Sequence, residues 1–183
     1  MNMEGIKKLP SMGFGESVKS VLTNLTNFKG RARRSELWWY WVAYAVVAII
    51  AGLALTGFPL ILTIISLLLQ LSLWAVTVRR LHDRGHSGWW VTAAILIGVF
   101  ANIYIAGSGY YEIMSSVNPD IEEATKVLSS PVFALTGLAS LIVNICIFVF
   151  CVRDGKPETN KYGPSPKYIP MDEYIEKVTG EQA

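Results

Sequence analysis

Two short stretches hold most of the chemistry this sequence offers: Phe28-Lys29-Gly30-Arg31-Ala32-Arg33-Arg34-Ser35-Glu36-Leu37-Trp38-Trp39 and Arg79-Arg80-Leu81-His82-Asp83-Arg84-Gly85-His86-Ser87-Gly88-Trp89-Trp90. Arg31, Arg34, Arg79 and Arg80 would present guanidinium forks that suit bidentate contact with phosphate or carboxylate. Glu36 and Asp83 are their natural internal partners, and they would stop such a cluster from repelling itself. His82 and His86 are four residues apart, the spacing of two metal ligands on one helix. Gly85 and Gly88 make an unbroken helix doubtful there, and no third strong ligand is evident, so no metal site is expected. Gly30, Gly85, Gly88, Ser87 and Trp89 read as structural: the glycines allow a tight reversal, and Ser87 is placed to cap the helix that follows. Ser35, Ser87, His82, Glu36 and Asp83 are the candidate nucleophiles, acids and bases. None falls in a nucleophile elbow, a phosphate loop or a paired-carboxylate arrangement. The chain therefore does not read as an enzyme, and no cofactor is expected.

What must position these residues is four apolar stretches, each near the 20 or so helical residues that cross a bilayer. They run from about Leu37 to Leu55, Phe58 to Val78, Trp89 to Ala106 and Val132 to Val152. None contains a formal charge, which would be costly in hydrocarbon. Hydrophobic residues make up 52% of the 183-residue chain, whose mean hydropathy is +0.39. A soluble all-α protein would show polar helix faces, and these stretches have none. Inside them Gln70, Asn102 and Asn144 are the carboxamides, with Ser66, Ser72, Thr63, Thr77 and Ser140; such groups more often join helices than line a path. Cys146 and Cys151 are five residues apart and point in different directions, so they read as buried, reduced filler.

Fifteen of the sixteen basic residues fall before the first span, between the second and third, or after the fourth (there Arg153, Lys156, Lys161, Lys167 and Lys177). Only Lys126 lies elsewhere, among Glu112, Asp120, Glu122 and Glu123. By the positive-inside rule both ends are expected in the cytoplasm. The double Trp at 38–39 and at 89–90, each after a basic cluster, fits aromatic anchoring at that interface. A net charge of only +2 gives no argument for nucleic acid. The first 36 residues show no secretory signal.

Ahead of the first span, Phe14, Val18, Val21, Leu22, Leu25 and Phe28 form one stripe at helical spacing. This predicts an amphipathic helix over 14–28 lying on the inner leaflet. Asn118-Pro119-Asp120 predicts a short acidic helix in the outer link, with Asn118 as its cap. The segment from Asp154 to Pro170 reads as an extended tail, folded back on the helix ends. The organisation expected is thus 1–36 as a cytoplasmic amphipathic and basic segment, 37–152 as the four-span domain and 153–183 as a cytoplasmic tail. The fold class is an all-α membrane protein, a four-transmembrane-helix bundle with an N-terminal amphipathic interfacial helix.

These motifs resemble a family of small bacterial inner-membrane proteins, the YhaH/YhaI-like proteins, known as domain of unknown function family number 805. The family pattern F-x-G-R-x-x-R-x-E-[FY]-W is met at Phe28, Gly30, Arg31, Arg34, Glu36 and Trp38, with Leu37 replacing the usual aromatic residue. Its turn, R-R-x-H-D-x-G-x-S-G-W, is matched at every position from Arg79 to Trp89. Its tail, G-x-x-G-x-N-[RK]-[FY]-G-P-x-P, is matched at Asn160, Lys161, Tyr162, Gly163, Pro164 and Pro166. The glycines before it are mostly missing, Gly155 being the only one near Lys156, Glu158 and Thr159. The resemblance implies the architecture and leaves the activity open.

The function expected is that of a non-enzymatic inner-membrane protein. Its cluster of Arg31, Arg34, Arg79, Arg80, His82, Asp83 and Glu36 would bind an anionic phospholipid headgroup or another phosphorylated ligand. A subunit of an oligomeric transporter or channel, and an accessory protein docking a membrane partner, are the alternatives. Enforcing topology and pinning helix ends is the purely structural role open to the same charges.

Overall fold

A computed structural model describes residues 5–180, the side chains of 177, 178 and 180 excepted; Lys177 therefore lies outside the described side chains. The chain forms two compact units. One takes everything described up to Gly88 together with the chain from Phe150 onward, and the other is Trp89–Val149.

The first unit is built on helices α2 (Arg34–Ala54) and α3 (Pro59–Asp83). Pro59 starts α3, where a missing N–H costs nothing. Two polar cross-links join this pair within the apolar length: Tyr40 bonds Ser72 through their hydroxyls, and the Tyr44 hydroxyl donates to Gln70 Oε1 at 3.1 Å. Such hydrogen bonds hold helices together in lipid, where hydrophobic burial supplies little drive. Leu37, Ala75, Val76 and Leu81 are buried, but many other apolar side chains of the pair face outward, Leu53 and Leu60 being 76% and 73% exposed. Water would penalise so large an apolar surface, whereas lipid solvates it.

Helix α3 ends in a Schellman motif. Gly85 N–H reaches His82 O at 2.9 Å and His86 N–H reaches Leu81 O at 3.0 Å. Gly85 takes φ +84, a conformation few other residues adopt cheaply. Gly88 lies so close to α3 that a Cβ there would meet Val78 Cγ1 at 2.8 Å.

Helix α1 spans Phe14–Leu22, shorter than the stripe to Phe28 predicts. Polar side chains end it. Thr23 Oγ1 and Asn24 Nδ2 both fold back onto Ser20 O, at 3.0 and 2.9 Å, and Asn27 Oδ1 accepts from Lys29 N at 3.0 Å. These local bonds compete with helical continuation. The stripe also divides. Val21, with Ser17 beside it, is buried against α2 and α3, while Phe14, Leu22, Leu25 and Phe28 stay exposed. Phe14 stands edge-on to Trp39, with ring centres 5.8 Å apart.

A two-stranded ribbon, absent from the all-α reading, joins the two ends of the chain. Strand β1 (Ile6–Lys8) pairs antiparallel with β2 (Tyr168–Pro170), Lys7 opposite Ile169. Helix α8 (Met171–Gly180) follows.

The second unit contains α4 (Trp89–Gly107), α5 (Tyr110–Ser115), α6 (Ile121–Leu128) and α7 (Pro131–Val152), whose last turn belongs to the first unit. Asp120, not Asn118, caps α6, its carboxylate accepting Glu123 N–H at 3.0 Å. The Tyr104 hydroxyl donates to Ser130 Oγ at 2.8 Å, at the start of α7. With α2, α3, α4 and α7 each long and apolar enough to cross a bilayer, the four expected spans are all present.

Candidate functional site

The two basic motifs meet in the first unit. Asp83, 2% exposed, closes α3, and its carboxylate lies between two guanidinium groups. Arg31 approaches Oδ1 through Nε at 2.9 Å and through Nη2 at 2.8 Å, and Arg80 grips Oδ2 through Nη1. Backbone contacts tie the stretches further: Ala32 N–H donates to Arg79 O at 3.1 Å, and His82 Nδ1 lies 3.1 Å from Gly30 O. Gly30 takes φ +81 to bring its carbonyl there.

What the arginines do with their other donors is the main finding. An irregular tail has no ladder to satisfy its carbonyls, and here arginines supply the missing donors one after another. Arg80 donates to Cys151 O at 3.1 Å and also to Arg153 O; Arg34 donates to Val152 O at 3.2 Å. All three contacts reach the last turn of α7 and its first exit residue, where cations also suit the helix dipole. Arg84 reaches Asp154 O. Arg31 extends to Lys156 O, to Glu158 O at 2.8 Å and to Gly163 O at 3.2 Å. Arg33 takes Pro166 O at 2.6 Å and, on the N-terminal side, Pro10 O at 2.9 Å. Five guanidinium groups therefore staple eight carbonyls between Cys151 and Pro166.

The tail motif supplies the complementary parts. Tyr162 stacks on His82, with ring centres 3.7 Å apart and planes within 6°. Asn160 Nδ2 donates to His82 O at 2.9 Å. Gly163, at φ +119, closes a tight bridge with Asn160. Lys161 stays exposed, its ammonium 5.0 Å from the Tyr162 ring, and Pro164 is exposed beside it. Gly155 packs against Asp83 so tightly that a Cβ would collide with the carboxylate.

Several expected partnerships are revised. Among the described residues Glu36 forms no ion pair with a guanidinium; its carboxylate accepts from Ser20 Oγ and Arg33 N–H, each at 2.8 Å. It tethers α1 to the start of α2, though its charge also acts on Arg79. Arg79 is buried with Nε and Nη2 lacking an acceptor among the described residues. His82 and His86 face different partners, the second stacking on Phe150 at 3.9 Å. His86, outside the spans, is held below its usual range by burial and then by Arg84, Lys156 and Arg153. The Cys151 thiol is buried and Cys146 only half-buried, and both are free. Helix α4 starts at Trp89, leaving Ser87 and Gly88 in the turn.

Beside the staples lies a cavity of about 520 Å³. Lys8, Leu9, Pro10 and Ser11 wall it from the ribbon, and Arg33, Arg34 and Ser35 from the start of α2. Arg80 and Asp83 line it from α3, and Asp154 and Lys167 from the tail. Lys167 Nζ lies 2.6 Å from Asp154 Oδ1, and Arg34 Nε lies 3.5 Å from the same oxygen. Burial alone would raise the Asp154 pKa, but the Lys167 hydrogen bond, the Arg34 charge and the Gly155 N–H together hold it below the usual range. Lys8, Arg33 and Lys167 were not singled out from sequence as site residues. Arg33 was visible within the basic motif, whereas only the pairing of two three-residue strands brings Lys8 and Lys167 to it.

The carboxamides of α4 and α7 stay local. Asn102 and Asn144 each donate to the carbonyl four residues earlier, Gly98 O and Ser140 O, both at 2.8 Å.

Comparison with known proteins agrees with this architecture. The chain is 28% identical to "Inner membrane protein YhaH" of Escherichia coli (strain K12) over 158 residues, covering 82% of this chain and 95% of that one. It is 39% identical to "Inner membrane protein YhaI" of the same strain over 75 residues, 39% of this chain and 64% of that one. No solved structure matches. Residues 25–164, from the first basic motif through the docked tail, match the family described as "Protein of unknown function (DUF805)", and the chain is therefore an integral membrane protein of that family.

Proposed function

We propose that this is a non-enzymatic inner-membrane protein, both ends cytoplasmic, whose basic membrane face holds the phosphate of an anionic phospholipid headgroup or similar ligand. The observation that carries this is the cavity walled by Lys8, Arg33, Arg34 and Lys167 at the start of α2. Arg31, Arg80 and Asp83 saturate one another and the tail, so they serve as the frame of the site. Arg33 uses two of its five donors on Pro166 O and Pro10 O, which leaves three. Arg34 and Ser35 open α2, so the first unpaired N–H groups of a 21-residue helix lie at the same wall. The cytoplasmic orientation rests on the confinement of basic residues to one set of connections and ends. The outward Phe14 and Leu22, with Lys19 on the same helix, suit α1 to an anionic leaflet.

The test is lipid analysis of the purified protein in mild detergent, wild type beside an Arg34→Gln, Lys8→Gln variant. Neither residue belongs to the Arg31–Asp83–Arg80 triad, and Arg34 holds only one of the eight stapled carbonyls, Val152 O, so the other seven should keep the tail docked, as its protease resistance would report. Wild type is expected to retain anionic phospholipid and the variant to lose most of it. An identical lipid complement in both would reject the reading.

A further inference from the structure

The charge of the cavity restricts its ligand further. Five cationic side chains line it (Lys8, Arg33, Arg34, Arg80 and Lys167) against two anionic ones, Asp83 and Asp154, an excess of three positive charges. Asp83 is further neutralised from outside the lining by Arg31. A phosphodiester headgroup brings one negative charge, which leaves most of that excess uncompensated. A phosphomonoester brings up to two, with three equivalent acceptor oxygens that the separated donors of Arg33, Arg34 and Lys8 can share.

We infer that the cavity is selective for a phosphomonoester dianion over a phosphodiester monoanion. This rests on the anion-site reading above and names the ligand class for the same site. A lipid, as in phosphatidic acid, and a small soluble molecule both carry such a group; the recognising chemistry is shared. Hydroxyls of Ser11 and Ser35 in the wall add neutral donors. The lining also predicts how binding depends on pH. Of the groups facing the ligand, Lys8 comes from β1, Arg33 and Arg34 from the start of α2, Arg80 and Asp83 from α3, and Asp154 and Lys167 from the tail. No histidine is among them, and Asp154 is held ionised by Lys167 and Arg34. The second ionisation of the ligand, near pH 6 for a phosphomonoester, therefore governs binding between pH 5 and 7.5.

The experiment is native mass spectrometry of the full chain in detergent. It is titrated with phosphatidic acid, phosphatidylglycerol and phosphatidylcholine of matched acyl chains, and separately with glycerol 3-phosphate. One extra charge about 4 Å from a base, even with full aqueous screening, is worth about fivefold in affinity. Phosphatidic acid is accordingly expected to bind at least about fivefold tighter than phosphatidylglycerol at pH 7.5. The gap should close at pH 5 and shrink in Lys8→Gln, a change at an exposed side chain. Binding of glycerol 3-phosphate with the same pH dependence would support the same specificity with a soluble ligand. Equal binding of phosphatidic acid and phosphatidylglycerol, both above phosphatidylcholine, overturns the dianion inference while the anion site stands. No preference over phosphatidylcholine and no binding of glycerol 3-phosphate overturns both.

Discussion

Asp83→Asn removes the one carboxylate that two buried guanidinium groups share while keeping nearly the same volume. In the native protein the Arg31 and Asp83 side chains are 1% and 3% exposed, and Arg80 is 1% exposed. Breaking a buried ion pair from one side typically costs about 3–5 kcal/mol, because a desolvated charge is left behind. Here two charges are left, partly relieved by the carbonyls each still holds, so about 3 kcal/mol is a conservative figure. The loss falls on the tail, since Arg31 and Arg80 carry five of its eight stapled carbonyls. When opening is fast relative to cleavage, proteolysis follows the open population, so 3 kcal/mol becomes roughly a hundredfold faster cutting. Trypsin provides the assay, with Arg153, Lys161 and Lys167 as tail sites and the four spans shielded by detergent. Cleavage of the Asp83→Asn tail at the wild-type rate would refute the claim that Asp83 anchors it. So would faster cutting at Lys126 in α6 alone, because no staple reaches that helix.

Other changes follow from the same geometry. Gly155→Ala drives a methyl group into the Asp83 carboxylate and should expose the tail to trypsin nearly as much as Asp83→Asn; wild-type resistance would mean the tail can shift to make room. Tyr162→Ala removes the ring stacked on His82 and should raise tail cleavage more mildly, at most about tenfold, for a loss of about 0.5–1.5 kcal/mol. Asp154 gives a pH dependence of definite sign. Its folded pKa lies below the ordinary 3.8, so its stabilisation is present above that value and is lost as pH falls through the folded one. Tail protection, read with an acid-active protease, should be flat down to about pH 4 and fall below it, and Asp154→Asn should abolish that acid step. For orientation, a reporter active only outside the cytoplasm should stay silent when joined after Gly180 and work when inserted after Val117; the reverse pattern would invert the topology.

Much of this protein could be read directly from its residues. Four uncharged apolar runs separated by charged connections determine the spans, because a bilayer tests only length and polarity. The distribution of Lys and Arg carries the expected orientation for an equally simple reason. The Gly85 and Gly88 reversal was legible too, since a Schellman motif and a close helix approach each depend on local backbone geometry. Helix α1 shows where local reading falls short: its stripe continues to Phe28, but Thr23, Asn24 and Asn27 turn their side chains onto the backbone and end the helix at Leu22.

The arginines mark the larger limit. Their number and spacing suit phosphate or carboxylate, yet a guanidinium donates equally well to a carbonyl, and residue type does not say which acceptor is near. The answer depended on contacts more than 100 residues apart in sequence, such as Arg31 with Gly163 and Arg33 with Pro166. Only the folded chain decided that Arg31 and Arg80 frame a docked tail around Asp83. It also decided that Lys8, at the end of β1, and Lys167, just before β2, stand with Arg33 and Arg34 around the remaining basic cavity. Strands of three residues lie below the reach of periodicity, so the composition of that cavity is a property of the tertiary structure alone.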